Sequence, residues 1–263
     1  MKSTSELQNG GAIFALFKGY ANCGKSIAAH SFPKTCTFDF DRKIYVIKNY
    51  YPDRTFDYCQ PKDVIETKQE LRELKQNCPY KTIIWDGITK ASDLAIKSQI
   101  DYRNPESSKP NKDSKMSPAG INMPQIEDYK GELRFIADCM DDLAYINVVH
   151  NVNIIVLAHI LRTFYQNAKD KTVVDTKSLV SSGQKVGSLI PTLFGERFHF
   201  GVKAANPDEN KKFICYVEDC TDPETGTGEF AGNSFGLHDS IDWTNKDFYK
   251  VFTGKVNKEV TVL

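Results

Sequence analysis

The 263-residue sequence has no excess of charge of either sign, no paired cysteine motif and no long apolar run. Its 34 Lys and Arg residues balance 34 Asp and Glu residues, which excludes a uniformly basic protein that coats nucleic acid by bulk charge. The seven cysteines form no CxxC pair, so we expect a reduced protein without structural zinc or disulfides. An anion that this chain binds must therefore be held by local geometry.

Segments long enough to cross a membrane are also missing from the sequence. The longest apolar stretches, such as residues 154–158, are far shorter than a membrane span. The first residues, MKSTSELQNGG, lack the apolar region of a secretory signal. We expect a cytoplasmic protein that has no membrane partner.

What the sequence does contain is an alternation of apolar runs and helical patterns. Continuous apolar runs are typical of strands buried on both faces of a parallel sheet, and they occupy residues 12–17, 35–40, 82–85 and 153–158. Helical periodicity marks residues 62–77, 88–102 and 126–150. The alternation predicts an α/β fold with a mainly parallel sheet flanked by helices.

The pattern changes character after His159. Residues 162–174 and 197–218 are typical of β-hairpins. We predict antiparallel strands that are added to the parallel sheet on its C-terminal side.

Two segments fall outside this regular pattern. Residues 103–122 are rich in Pro, Ser, Asn and Lys, which predicts a long mobile loop. Residues 246–252 favour a short helix near the C-terminus. We therefore predict one domain over residues 1–243, followed by a C-terminal helix and tail over residues 244–263.

A phosphate-binding loop is the most specific motif in the chain. Residues 19–26, GYANCGKS, match GxxxxGK[ST] at every fixed position. Backbone N–H groups of such a loop turn towards phosphate oxygens, while Lys25 reaches the β and γ phosphates and Ser26 places its hydroxyl on Mg²⁺. The predicted nucleotide-binding residues are Gly19, Tyr20, Ala21, Asn22, Cys23, Gly24, Lys25 and Ser26.

A phosphate-binding loop of this kind needs a second carboxylate at the end of a neighbouring strand. Residues 82–86, TIIWD, provide an apolar strand that ends in Asp86. Carboxylate and hydroxyl oxygens suit Mg²⁺. We predict that Ser26 and Asp86 hold this ion.

Two further side chains at strand ends are candidates for catalysis. Asp39 and Asp41 share one face of their strand, and Asp41 lies nearer the carboxyl end, where it could position the attacking water. A solvated turn aspartate beside two cations is the alternative. His159 follows a later strand and is a candidate γ-phosphate sensor, with a histidine that caps the strand end as the alternative. The predicted catalytic residues are Lys25, Asp41, Asp86 and His159.

The segments GYANCGKS, TFDFD, TIIWDGIT and residues 124–160, in this order, resemble the phage-encoded RecA-like ATPases. That family includes ATP-dependent single-strand annealing recombinases, and the similarity spans roughly residues 12–240. The resemblance implies a RecA-like P-loop core, ATP and Mg²⁺ as ligands, and γ-phosphate sensing by His159. The family commonly has Glu where this chain has Asp41, and the shorter side chain predicts slow hydrolysis.

Neighbouring subunits of RecA-type rings and filaments often complete the ATP site with a Lys or Arg. Related sequences carry A-K-x-R before a Phe/Tyr-Gly-Leu run, whereas Gly232 and Ser234 stand at the two basic positions here. Either Lys185, Arg197 or Lys203 replaces them, or nucleotide binding drives assembly with little turnover. A solvated loop charge is the alternative for Lys185.

RecA-type proteins bind single-stranded DNA with mobile loops, which makes residues 103–122 the first candidate and residues 176–184 the second. Tyr102 beside the first loop is a candidate stacking group. The predicted DNA-binding side chains are Arg103, Lys109, Lys112 and Lys115. A mobile surface loop without a partner is the alternative for both segments.

The resemblance implies an ATP-binding and ATP-hydrolysing bacteriophage protein that acts on single-stranded DNA in recombination, annealing or replication. It further implies a homo-oligomeric ring or filament, phage single-strand-binding or recombination proteins as partners, and the cytoplasm of the host cell as location. A nucleotide-dependent assembly module with little turnover is one alternative, and a packaging or helicase-type motor is another.

Overall fold

A computed structural model gives the fold of the chain. It describes residues 11–103, 124–166, 173–179, 184–203, 211–217, 235, 237, 240–244 and 246–260. Across these ranges, no helix combines the length and the apolar character that crossing a lipid bilayer requires.

A mixed β-sheet forms the centre of the molecule. Its described strands are β1 (Phe14–Gly19), β2 (Thr35–Asp39), β3 (Asp57–Cys59), β4 (Thr82–Asp86), β5 (Asn153–Gln166), β6 (Val173–Leu179), β7 (Glu196–Lys203), β8 (Lys212–Tyr216) and β9 (Ser240–Asp242). Their spatial order is β3-β2-β4-β5-β1-β7-β8-β9, and β6 pairs with β5 outside this path. The strands from β3 to β7 in this order pair in parallel, and the pairs β5/β6, β7/β8 and β8/β9 are antiparallel.

Helices connect the parallel strands and cover both faces of the sheet. They are α1 (Lys25–His30), α2 (Ile44–Tyr50), α3 (Val64–Gln76), α4 (Ile88–Arg103), α5 (Ile126–His150), α6 (Gln184–Leu189) with a following 3₁₀ turn (Ile190–Leu193), and α7 (Phe248–Val260). The predicted fold class, a mainly parallel sheet flanked by helices with added antiparallel strands, is confirmed.

Two apolar cores lie on opposite faces of the sheet. Because successive strand residues point to opposite faces, Leu16 of β1 joins the core under α3, α4 and α5, whereas Phe17 joins the core under α1 and α7. The same alternation divides β5 between the two cores. This explains why the central strands are apolar along their whole length.

The C-terminal half differs in detail from the sequence prediction. The first hairpin pairs β5 with β6, and β6 continues to Leu179, beyond the predicted limit. The second hairpin is present as β7 and β8, but β7 also pairs in parallel with β1. The C-terminal helix α7 begins at Phe248 and continues to Val260, beyond the predicted residues 246–252, and Val256 in the added part packs against the core under α1.

Parallel pairing brings the carboxyl ends of four strands to one edge of the sheet. In the register, Gly19 of β1 lies opposite His159 of β5, and Asp86 of β4 lies opposite Asp39 of β2. Ligands of open α/β sheets bind at this edge. The fold therefore places the predicted phosphate loop, acidic residues and histidine together.

Candidate active site

The predicted phosphate loop connects β1 to α1. An added Cβ at Gly19 would collide with the backbone carbonyl oxygen of Phe200, so only glycine fits there. Gly24 precedes α1 with φ of +89°, a left-handed conformation that favours glycine, and the Trp243 ring packs against its Cα. Both glycines are therefore fixed by the shape that the loop takes.

The Lys25 side chain is 5% exposed and points back into the loop. Its ammonium group donates to the carbonyl oxygens of Gly19, at 2.9 Å, and Tyr20, at 2.7 Å. It also lies 3.5 Å from Cys23 Sγ and 3.3 Å from His159 Nδ1. Burial lowers the pKa of Lys25. All four acceptors are uncharged, so a negatively charged phosphate could replace them as the partner of the Lys25 ammonium group.

Ser26 and Asp86 meet at the end of β4. The Ser26 hydroxyl hydrogen bonds to the Asp86 carboxylate. Burial, with a smaller contribution from the Asp41 charge, raises the pKa of Asp86 to about 7. A divalent cation would neutralise this buried negative charge, and the oxygen ligands suit Mg²⁺.

The metal fit depends on more than protein ligands. Within the described ranges, no group of three or more His, Cys, Asp or Glu side chains forms a complete metal site. Mg²⁺ characteristically keeps several waters and binds through one or two protein ligands plus substrate phosphates. Ser26 and Asp86 fit that pattern.

The two aspartates at the end of β2 have different roles in the structure. Asp39 is 1% exposed and accepts from the backbone N–H groups of Lys43 and Ile44 and from Gln60 Nε2, at 2.8–3.1 Å. Asp41 lies against Gly87, one residue beyond Asp86. Asp39 is thus a structural anchor, and Asp41 is the carboxylate that faces the site.

His159 lies beside Lys25 at the end of the first half of β5. Burial and the positive charge of Lys25 lower the pKa of His159. The neutral imidazole accepts from the Lys25 ammonium group at Nδ1. This position allows the ring to sense whether Lys25 is engaged with a ligand.

These residues share one cavity of about 340 Å³. Its lining consists of residues 21–27, Asp41, Lys43, Val46, Ile47, Asp86 and His159. Gly19 and Tyr20 belong to the predicted loop but not to this lining. Lys43, Val46 and Ile47 were missed in the sequence, although their proximity to Asp41 was a signal.

The predicted trans-acting cations lie away from this cavity in their own chain. Lys185 is exposed on α6, Arg197 lies on β7, and the Lys203 ammonium group lies 5.3 Å from the centre of the Tyr216 ring. Gly232 and Ser234 fall outside the described residues. The part played by a neighbouring subunit stays a prediction.

Few of the predicted DNA contacts fall on described residues. Arg103 is the last residue of α4, and the neighbouring Tyr102 is 86% exposed. Gly131 of α5 packs on Gln99 of α4, so the helix ends that flank residues 104–123 lie side by side. Residues 176–179 of the second candidate segment belong to β6. The candidates outside the described residues are Lys109, Lys112 and Lys115.

Comparison with known proteins gives one family and two solved structures. The AAA domain family matches residues 13–196. No curated protein gives a significant match. A KaiC-like protein of the hyperthermophilic archaeon Pyrococcus horikoshii aligns over 89% of this chain and 90% of its own, with 7% identity and a TM-score of 0.43. The RadB recombinase aligns over 88% of this chain and 95% of its own, with 16% identity and a TM-score of 0.41.

Proposed function

Since the chain belongs to the AAA domain family, we propose that it binds ATP with Mg²⁺ and hydrolyses the bond between the β- and γ-phosphates. One observation carries this proposal: the loop lysine and three further predicted catalytic side chains line the same cavity. These residues are Lys25, Asp41, Asp86 and His159. A fold that needed only a tight turn before α1 would not require this convergence.

Binding begins with an exchange of partners at Lys25. Two backbone carbonyls now hold its ammonium group, and a phosphate oxygen is a charged acceptor with stronger hydrogen bonds. The low exposure of Lys25 strengthens this preference, because the surroundings screen charge poorly. Triphosphate binding would therefore release the Gly19 and Tyr20 carbonyls.

Ser26 and Asp86 would hold Mg²⁺, which supplies charge neutralisation at the phosphates when it is bound. Asp41 faces the same cavity and positions the attacking water as an acceptor. His159 contacts Lys25 and so responds to the engagement of the γ-phosphate. The shorter reach of Asp41, compared with glutamate, supports slow turnover.

We further propose that the protein assembles into a ring or filament and acts on single-stranded DNA. Support comes from the exposed Tyr102 at the end of α4 and from the basic residues that follow it in the sequence. Phage origin and an annealing role are implied by the sequence resemblance. They belong to this proposal.

A nucleotide-driven assembly module with little turnover is the second candidate. The observation that favours it is the scarcity of cations: among the described residues that line the cavity, Lys25 and Lys43 are the only Lys or Arg residues. A neighbouring copy is one source of a further cation for an ATPase that needs it. Particle size measured with ATP, ADP and a slowly hydrolysed analogue separates the two functions. Equal particle size with ATP and with the analogue favours the assembly module, because assembly alone requires no hydrolysis.

The direct test measures ATP hydrolysis with and without single-stranded DNA. Lys25→Ala is expected to lower the rate by about a hundredfold or more, since a charged group that contacts the transferred phosphoryl is lost. Lys90→Ala is the matched control, because Lys90 is exposed on α4 and pairs only with nearby Asp93 among the contacts described. Equal nucleotide binding and hydrolysis in the parent chain and Lys25→Ala would contradict the proposal.

A further inference from the structure

Lys43 is a second lysine at the cavity, and the phosphate-loop motif does not include it. Its ammonium group lies 3.3 Å from Asp41 Oδ2. The Lys43 side chain is 63% exposed, whereas that of Asp41 is 14% exposed. The pair therefore has one fixed member and one member that is free to move.

The backbone at Lys43 is held firmly even though its side chain is exposed. Its N–H donates to Asp39 Oδ1 at 2.9 Å, and the N–H of Ile44 donates to Asp39 Oδ2 at 3.1 Å. Gln60 Nε2 fixes the same carboxylate from β3's side of the sheet, at 2.8 Å. Lys43 thus presents a long flexible side chain from a rigid base at the cavity rim.

The positive charge of Lys43 also acts on the interior of the site. Together with burial and Lys25, it lowers the pKa of His159. Lys43 lines the cavity that holds the phosphate loop. Its charge is therefore directed towards the cavity that His159 and Lys25 share.

We propose that Lys43 is a γ-phosphate contact supplied within the same chain, and that it exchanges Asp41 for the γ-phosphate when ATP binds. This inference rests on the proposed function, since it assigns one more residue to the same site. The residue is distinct from the predicted trans-acting cations, because it belongs to the chain that holds the nucleotide.

The exchange is favourable on electrostatic grounds. An ion pair with a mostly exposed lysine contributes little to stability, so it is easily broken. The terminal phosphate of ATP carries more charge than one carboxylate and offers three acceptor oxygens. When ATP binds, Asp41 would no longer be paired with the Lys43 ammonium group. Its free carboxylate would then accept a hydrogen bond from the attacking water.

The exchange predicts that Lys43 distinguishes ATP from ADP. ADP lacks the γ-phosphate, so Lys43→Ala should change the affinity of the protein for ADP by less than about twofold. A slowly hydrolysed ATP analogue has the γ-phosphate, so the Lys43→Ala chain loses a charge-assisted hydrogen bond to it. The affinity of this variant for the analogue should therefore fall about tenfold or more. Lys43→Arg should keep most of the analogue affinity, because it keeps the charge.

Isothermal titration calorimetry of the full chain with Mg²⁺ measures both affinities. Arg42→Asn is the matched control: it removes the neighbouring charge, and Asn tolerates the φ of +55° at that position. It should leave both affinities within about twofold of the parent chain. Circular dichroism melting of each variant checks that folding is preserved.

A double-substitution cycle tests the exchange itself. Asp41→Asn removes the competing negative charge and should raise analogue affinity in the parent chain more than in the Lys43→Ala background. Equal effects in both backgrounds would overturn the exchange. Equal losses for ADP and the analogue in Lys43→Ala, or no loss for either, would overturn the γ-phosphate contact. If the parent chain binds neither nucleotide, the proposed function fails as well.

Discussion

At the scale of single residues, the candidate site depends on a glycine whose missing side chain leaves room for the backbone of a neighbouring strand. Gly19 lies directly under the Phe200 carbonyl, where a methyl group has no space. The obstacle is backbone of β7, which is hydrogen bonded in the sheet and cannot rotate away. Gly254 on α7 is a contrast, because an added Cβ there meets no atom within 4 Å.

We predict opposite effects of alanine at these two glycines. Gly19→Ala should lower the free energy of unfolding by about 2 kcal/mol or more, because strand β1 or β7 must shift. Gly254→Ala should raise it by about 0.5–1 kcal/mol, because alanine favours a helix interior. Urea unfolding measures both values, and a stable Gly19→Ala chain with unchanged nucleotide binding would contradict the packing described here.

His30 gives a pH dependence whose sign follows from its burial. Its ring contacts the Ser26 carbonyl at 2.7 Å and Thr37 Oγ1 at 2.9 Å, and burial lowers its pKa from 6.5 to about 4. The unfolded chain binds more protons between these pH values, so the stability present above pH 6.5 falls as the pH drops towards 4. The loss should approach about 3 kcal/mol for this group alone.

The measurement compares unfolding free energies from pH 7 to 4 in the parent chain and in His30→Gln. Other groups contribute to both curves, so the difference between the curves isolates His30. The variant should be less stable at pH 7, because the hydrogen bonds of the ring are altered, and should lose less stability on acidification. Parallel curves would show that the histidine is not buried in its neutral form.

At the scale of elements, short segments were the least predictable part of the fold. Helix α2 reads IYVIKNY, and its β-branched and aromatic residues favour a strand when taken alone. Tertiary contacts decide its conformation: Asp39 binds the backbone at its start, and the hydroxyl of Tyr51 donates to the Ile27 carbonyl of α1. Contacts with residues outside α2, including Ile27 of α1, therefore determine its helical conformation.

The position of residues 19–26 between a strand and a helix, and that of Asp86 at a strand end, were predictable because each depends on a local pattern. The loop needs eight consecutive residues, and Asp86 needs only an apolar strand before it. The structural role of Asp39 and the position of Lys43 could not be predicted in this way. Both depend on the left-handed turn at Arg42 and on Gln60, which lies beyond the next helix.

Helix α7 links the C-terminus to the phosphate loop through aromatic packing. Phe248 is fully buried, and the centre of its ring lies 5.3–6.4 Å from the centres of neighbouring rings, with 5.3 Å to Phe200 and 5.8 Å to Trp243. Trp243 in turn packs against Gly24 of the loop. The helix therefore supports the loop at Gly24 through Trp243.

Phe248→Ala should lower the free energy of unfolding by about 3–5 kcal/mol, because a large aromatic side chain leaves a cavity. Nucleotide affinity should also fall, since Trp243 loses a packing partner. Lys250→Ala, an exposed neighbour on α7, should change stability by less than about 0.5 kcal/mol. Denaturant unfolding and calorimetry measure both quantities, and unchanged nucleotide binding in a clearly destabilised Phe248→Ala chain would exclude the link.

At the scale of the whole molecule, the balance of 34 positive and 34 negative charges limits how DNA could be bound. The proposed phosphate binding at the loop would use backbone N–H groups and Lys25, so it would need no net positive charge. The candidate DNA segment carries few cations: Arg103, Lys109, Lys112 and Lys115. A single chain can therefore neutralise only a few phosphates, whereas an assembly repeats the same contacts along one strand.

This limit predicts how salt and nucleotide affect single-stranded DNA binding. Four contacts give a slope of about −3 for the logarithm of affinity against the logarithm of salt concentration, at about −0.7 per phosphate of a single strand. The slope should become steeper when ATP or its analogue drives assembly, because each added copy brings its own cations to the strand. Fluorescence anisotropy of a labelled oligonucleotide at several salt concentrations, with particle size measured on the same samples, gives both values. Two results would contradict DNA binding by this segment. One is an affinity for single-stranded DNA that does not depend on salt. The other is an affinity that nucleotide leaves unchanged although the particles assemble.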